Sequence, residues 1–194
     1  MDTSRHNDEI AQNLEHWNRK PSLQKSYSAF HQLMAQYLAE PAGGQVVELG
    51  SGIGNIKETI PDCLRTDLFP NPWIDQVENA YQLSFSDESV SNLIMFDVFH
   101  HLRYPGTALA EAFRVCSPGG WIIIFVPCVS LLGRLDFGPL HAEPLALTEE
   151  ISCQAPDGWS AENIDYYAAQ GNSSIVFLGQ KYSEVLQSWK IVHT

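Results

Sequence analysis

Three groups of residues in this chain have types and spacings that could do chemistry. The first is Val46-Val47-Glu48-Leu49-Gly50-Ser51-Gly52-Ile53-Gly54-Asn55, an apolar run that meets three glycines at alternate positions. Glycine adopts positive φ at little cost and lets a ligand come close to backbone N–H groups. Glu48 adds a carboxylate just upstream of the first glycine. The second is Asp67, in Arg65-Thr66-Asp67-Leu68-Phe69, about 20 residues after Glu48, the length of one βαβ step. A carboxylate at a strand end can accept hydrogen bonds from both hydroxyls of a ribose, although surface turns carry carboxylates too. The third is Ile94-Met95-Phe96-Asp97-Val98-Phe99-His100-His101-Leu102, an apolar run that ends in an acid and two histidines. Histidine titrates near ~6.5 and suits proton transfer at neutral pH.

The elements that must hold these groups alternate between strand and helix. Gln45 to Leu49 is a buried strand, followed by the glycine turn and a helix near Asn55 to Ile60. Cys63 to Asp67 is a short second strand, and Asn92 to Asp97 a third. Thr107 to Val115 has a helical pattern, and Ser117-Pro118-Gly119-Gly120 turns into a strand from Trp121 to Val126. This order predicts an α/β fold, a mainly parallel sheet with helices on both faces. Upstream, Ile10 to Leu38 is helical and broken at Pro21. Tyr27, Phe30, Leu33, Met34, Tyr37 and Leu38 share one face, which packs on the sheet or lies in part over a ligand. Downstream, Leu145 to Ile151, Ala161 to Gln170 and Tyr182 to Gln187 read as helical, and Ser174 to Leu178 and Lys190 to His193 as strands.

The order and spacing of these segments from Gln45 to Pro127 resemble class I S-adenosylmethionine-dependent methyltransferases, and the dinucleotide-binding alternative fits less well. Its fingerprint needs the third glycine one place later, where Asn55 stands, which disfavours a nicotinamide oxidoreductase. The resemblance implies a Rossmann-like sheet closed by an antiparallel C-terminal strand. It implies that the glycine turn holds the amino-acid end of S-adenosylmethionine, whose ammonium group explains the acid nearby. Glu48, Gly50, Ser51 and Gly52 would line that end, with Asp67 and Leu68 at the ribose. Asn79, Ala80 and Tyr81 would border adenine, with Asn79 where the family usually has Asp. Asp97 and Val98 would lie near the sulfonium. S-adenosylhomocysteine would be the product.

For the acceptor side, His100 and His141 are the candidate catalytic bases, with Glu143 a further option. Tyr27, Phe30, His101 and Arg134 are candidate substrate contacts. Either histidine of the tandem could instead pack or cap the next helix. Phe69-Pro70-Asn71-Pro72-Trp73-Ile74-Asp75 is an insertion with no evident chemistry.

Composition narrows the function further. The 194 residues suit one methyltransferase domain over 1–194, with a helical cap at 1–40, a cofactor core at 45–127 and an acceptor-side segment at 128–194. The formal charge of −12 disfavours nucleic acid and favours a small-molecule acceptor. No apolar run approaches the ~20 residues of a membrane span, and the polar start suggests no export. Cys63, Cys116, Cys128 and Cys153 lack zinc-ligand spacing, so no metal is expected, and a cytoplasmic location fits. The last strand would be short, so a homodimer or a partner could complete the acceptor pocket. A non-catalytic cofactor-binding or scaffold subunit is the alternative function.

Overall fold

The computed structural model describes residues 3–39, 44–126 and 152–162. Five parallel strands form its centre: β1 (Gln45–Leu49), β2 (Leu64–Asp67), β3 (Gln76–Val77), β4 (Val90–Phe96) and β5 (Cys116–Phe125), in spatial order β3-β2-β1-β4-β5. Such sheets are covered on both faces, so their central strands are buried on both sides. Val90 to Met95 of β4 are accordingly all buried.

Alternation along the strands sends neighbouring side chains to opposite faces. On one face Val47, Leu49, Leu93 and Met95 pack with Ala108, Leu109, Ala112 and Val115 of helix α3 (Pro105–Val115). On the other, Ile94 packs with Ile56, Ile60, Cys63 and Met34, with Phe96, Ile123 and Phe125 alongside. Met34 belongs to helix α2 (Pro21–Ala35), which follows α1 (Thr3–Arg19). Pro21 separates the two helices and starts the second, where its missing N–H costs nothing. After α2, the Asn92 amide donates to the Ala39 carbonyl (3.0 Å) and accepts from the Ala39 N–H (2.9 Å), fastening the chain to β4.

The Rossmann-like expectation holds, with local corrections. Helix α1 starts at Thr3, not near Ile10. The helix expected from Asn55 to Ile60 is a single 3-10 turn, Asn55–Glu58, because Pro61 closes the segment against helical extension. Ser117 to Gly120 form a bulge inside β5, where pairing jumps from Val90↔Cys116 to Asn92↔Trp121. Strand β3 has no apolar pattern and was not expected. The antiparallel C-terminal strand, and the elements expected at Leu145 to Ile151 and beyond Glu162, lie outside the described residues; Ala161 and Glu162 form a turn.

The insertion after β2 acts as a clasp. Asp75 accepts from the Arg65 backbone N–H (2.9 Å) and from its guanidinium (2.8 and 3.1 Å), and pairs with Lys57 (2.8 Å). These partners, the Arg65 side chain foremost, hold the Asp75 carboxyl well below the usual carboxylate range.

Candidate functional site

The glycine turn follows β1 at the carboxyl end of the sheet, where open α/β sheets bind ligands. Gly50, Gly52 and Gly54 all have positive φ (69°, 52° and 69°). The turn is tied to β2: the Ser51 N–H donates to the Thr66 carbonyl (2.8 Å), and the Thr66 N–H donates to Ser51 Oγ (3.2 Å). Thr66 Oγ1 donates to the Glu48 carbonyl (2.8 Å).

Two carboxylates flank the turn. Asp67 is buried and accepts from the Gly52 N–H (3.1 Å) and the Leu68 N–H (2.7 Å). Its Oδ1 also lies 3.4 Å from His6 Nε2, on α1, and the His6 ring packs on Phe69. Glu48 is buried, and its Oε2 has no hydrogen-bond partner. Burial raises the Glu48 carboxyl to about 7, with the Asp67 charge adding to the rise and the Ser51 hydroxyl and Arg65 opposing it. Glu48, Gly50, Ser51, Gly52, Asp67 and Leu68 therefore form one cradle.

The end of β4 joins this cradle through a close approach. A Cβ built on Gly50 would sit 2.3 Å from Val98 Cγ2. Asp97 lies between β4 and Val98 with φ of 59°, unusual for a residue with a Cβ, and its N–H donates to the Phe125 carbonyl (2.8 Å). His100 is buried, with Nδ1 3.7 Å from Asp97 Oδ1, and its ring lies 4.1 Å from that of His101.

The segment expected beside adenine, Asn79 to Tyr81, is held by local and long-range contacts. The Asn79 amide donates to the Ala161 carbonyl (2.9 Å) and accepts from the Tyr81 N–H (3.0 Å). Ala80 and Tyr81 pack at the margin of the α3-side core. Trp159 packs edge-on against both Tyr81 and Tyr104 (5.0 and 5.2 Å). Nothing in the sequence ties Trp159 to Tyr81 and Tyr104.

Tyr27 and Phe30 of α2 meet β4 and β5 in an aromatic nest. Tyr27 lies 5.0 Å from Phe96, and Phe30 lies 6.0 Å from Phe96 and 4.9 Å from Phe125. Burial, then the Asp97 charge, raises the Tyr27 phenol above its ordinary value. His31, also on α2, stands edge-on to Phe96 and Tyr27. Arg134, His141 and Glu143 lie outside the described residues. Among the described residues no cluster of three or more His, Cys, Asp or Glu could hold a metal, and no helix is long and apolar enough to cross a membrane.

Residues 47–124 match the family described as "Methyltransferase domain". A protein of Mycolicibacterium smegmatis named "Probable S-adenosylmethionine-dependent methyltransferase" is 28% identical over 130 residues, 59% of this chain and 49% of its own. The chain thus spans about half the length of that curated relative. A Thermotoga maritima SAM-dependent methyltransferase superposes with a TM-score of 0.52 at 19% identity, over 68% of this chain and 67% of the other. A Pyrococcus horikoshii protein gives 0.50 at 21% identity, over 61% and 65%. At these identities both structures speak to the fold alone. Over residues 47–124 the chain is thus similar to a methyltransferase domain.

Proposed function

We propose that this chain transfers the methyl group of S-adenosylmethionine to a small-molecule acceptor, and that its cradle is the cofactor site. The observation that carries this reading is the cradle itself: a buried carboxylate with an unpartnered oxygen, a turn of positive-φ glycines and a strand-end acid. The unpartnered Glu48 Oε2 suits the cofactor's ammonium group. The Gly50 to Gly54 turn leaves room for backbone approach, and Asp67 is the acceptor for ribose hydroxyls. Asp97 and Val98 border the sulfonium, with Ala80 and Tyr81 at the adenine. Asn79 fixes that wall through Ala161 and Tyr81.

S-adenosylmethionine supplies an already electrophilic methyl group. The protein's task is to hold a nucleophile in line with it, and such positioning is worth about 7–11 kcal/mol. Tyr27 and Phe30 line the acceptor side, with His101 and Arg134 as further contacts. His100 stands beside Asp97 and is the candidate base for an acceptor that arrives protonated; His141 is the second candidate. The −12 charge supports a small molecule over nucleic acid. The unpaired thiols of Cys63, Cys116 and Cys153 fit a reducing, cytoplasmic setting.

Calorimetry with S-adenosylmethionine tests the cofactor reading. Wild type binds, and Asp67→Ala weakens binding by about 1.5–3 kcal/mol, the worth of hydrogen bonds to a charged group. Well-folded wild type that does not bind refutes the proposal.

A further inference from the structure

Helix α1 lies against the cradle. Ile10 and Trp17 are buried apolar residues two turns apart, and His6 precedes Ile10 by one turn, so the three share one face of the helix. The two ends of this face are held unequally. At the C-terminal end, Trp17 packs edge-on against Tyr27 at 5.9 Å, and the Gln24 amide donates to the Trp17 carbonyl (2.7 Å). At the N-terminal end, Ile10 Cδ1 stands 3.6 Å from where a Cβ of Gly52 would lie. His6 Nε2 stands 3.4 Å from Asp67 Oδ1, and the His6 ring lies 5.2 Å from that of Phe69. His6 Nε2 and Asn7 Oδ1 are buried there without a hydrogen-bond partner. Water would satisfy both on release, so their burial opposes the docking that Ile10 favours. The N-terminal half of α1 is thus held lightly over the cradle, while its C-terminal half is anchored to α2.

What α1 covers is the ribose acceptor of the proposed cofactor site. Asp67 is 6% exposed. Its Oδ2 accepts from the Gly52 N–H and its Oδ1 from the Leu68 N–H, and His6 faces Oδ1 from the other side. A hydroxyl bonded to a carboxylate comes within about 2.5–3.0 Å of its oxygen, and a ribose diol makes two such approaches. An imidazole at 3.4 Å occupies that approach. Ile10 in turn stands over Gly52, on the turn assigned to the amino-acid end. We propose that α1 is a lid docked on this site, that His6 takes the place of the ribose diol at Asp67, and that S-adenosylmethionine enters by lifting the N-terminal half of α1 away. The cofactor then competes with part of its own protein, and its apparent affinity is lowered in proportion to the fraction of molecules with α1 undocked. Weakening the docking raises that affinity, the reverse of what losing a cofactor contact does. The inference rests on the reading of Asp67 as the ribose acceptor.

The test is calorimetric titration of S-adenosylhomocysteine into the full chain as wild type, His6→Ala, Ile10→Ala and Asp67→Ala, with amide hydrogen exchange followed along α1 with and without the ligand. Alanine is the best helix former, so His6→Ala and Ile10→Ala keep α1 helical. Both are expected to bind about fivefold tighter than wild type or better. In wild type the ligand is expected to speed exchange from Asn7 to Ile10 as that half of the helix leaves the cradle. Binding to His6→Ala that is no tighter than to wild type, or exchange that slows or stays unchanged, overturns the lid. If Asp67→Ala still weakens binding in that case, the cofactor site stands and α1 is a clamp or a bystander. Failure of the ligand to bind any of these chains overturns the cofactor reading and the lid with it.

Discussion

Replacing Gly50 by alanine isolates what the glycine turn requires. The backbone there has φ of 69°, and an L-residue in the left-handed region costs about 1–2 kcal/mol. The new Cβ would also lie 2.3 Å from Val98 Cγ2, well inside ordinary contact. Val98 cannot easily yield: it is stiff at χ1, and it follows Asp97, which is itself held at φ of 59°. Forcing a methyl into such a site costs about 1–3 kcal/mol more, for a total of about 2–5 kcal/mol. Gly52→Ala is the internal control. Its φ of 52° exacts the same backbone cost, but its Cβ meets only Ile10 Cδ1, at a comfortable 3.6 Å. Urea unfolding followed by circular dichroism compares the midpoints at constant slope. Gly50→Ala should lose clearly more than Gly52→Ala, and Val98→Ala in the Gly50→Ala background should recover the difference. Equal losses in the two single variants, or no recovery in the double, would refute the steric argument.

Two further perturbations follow from buried or clamped charges. Glu48 is protonated more readily in the folded chain (about 7) than in the unfolded one (its ordinary 4.5), so between these values the native state binds more protons and stability falls as pH rises. The loss is at most about 3 kcal/mol, and Glu48→Gln should flatten it in urea midpoints taken near pH 5 and near pH 8. Arg114 donates to the Leu83 and Phe85 carbonyls and pairs with Glu111 and Asp87. Arg114→Met should cost about 1–3 kcal/mol and speed amide exchange between Leu83 and Glu88.

The parts legible in the sequence are those where one local cause dominates. β1 and β4 are apolar runs because both faces of a parallel sheet are covered, and glycine spacing marks the turn between strand and cradle. Asp67 could be placed because a βαβ step has a narrow range of lengths. What escaped depends on distant partners. β3 pairs only two residues and carries no pattern of its own. The polar start of α1 hides its helicity, yet it brings His6 to Asp67. Asp75 in the insertion reads as a loop acid until Arg65 and Lys57 fold onto it. His31 sits at a core-like position on α2, and only the rings of β4 and β5 reveal that its Nε2 goes unmatched.

The hydrogen-bonded pair between Ala39 and Asn92 also bears on the order in which the molecule comes together. It joins residues 53 apart, using a side-chain amide in place of a strand rung. Only an amide both donates and accepts in that geometry, so aspartate or leucine would break the rung while leaving the sheet's own ladder intact. Contacts of such long span are slow to close, because loop entropy is lost before they form. A nascent chain therefore has α1 and α2 in hand long before β4 exists to receive them. The N-terminal helices must wait, solvent-exposed, until the central strand has left the ribosome. Their aromatic face stays uncovered for that interval, and chaperones have their best chance of engaging this protein then.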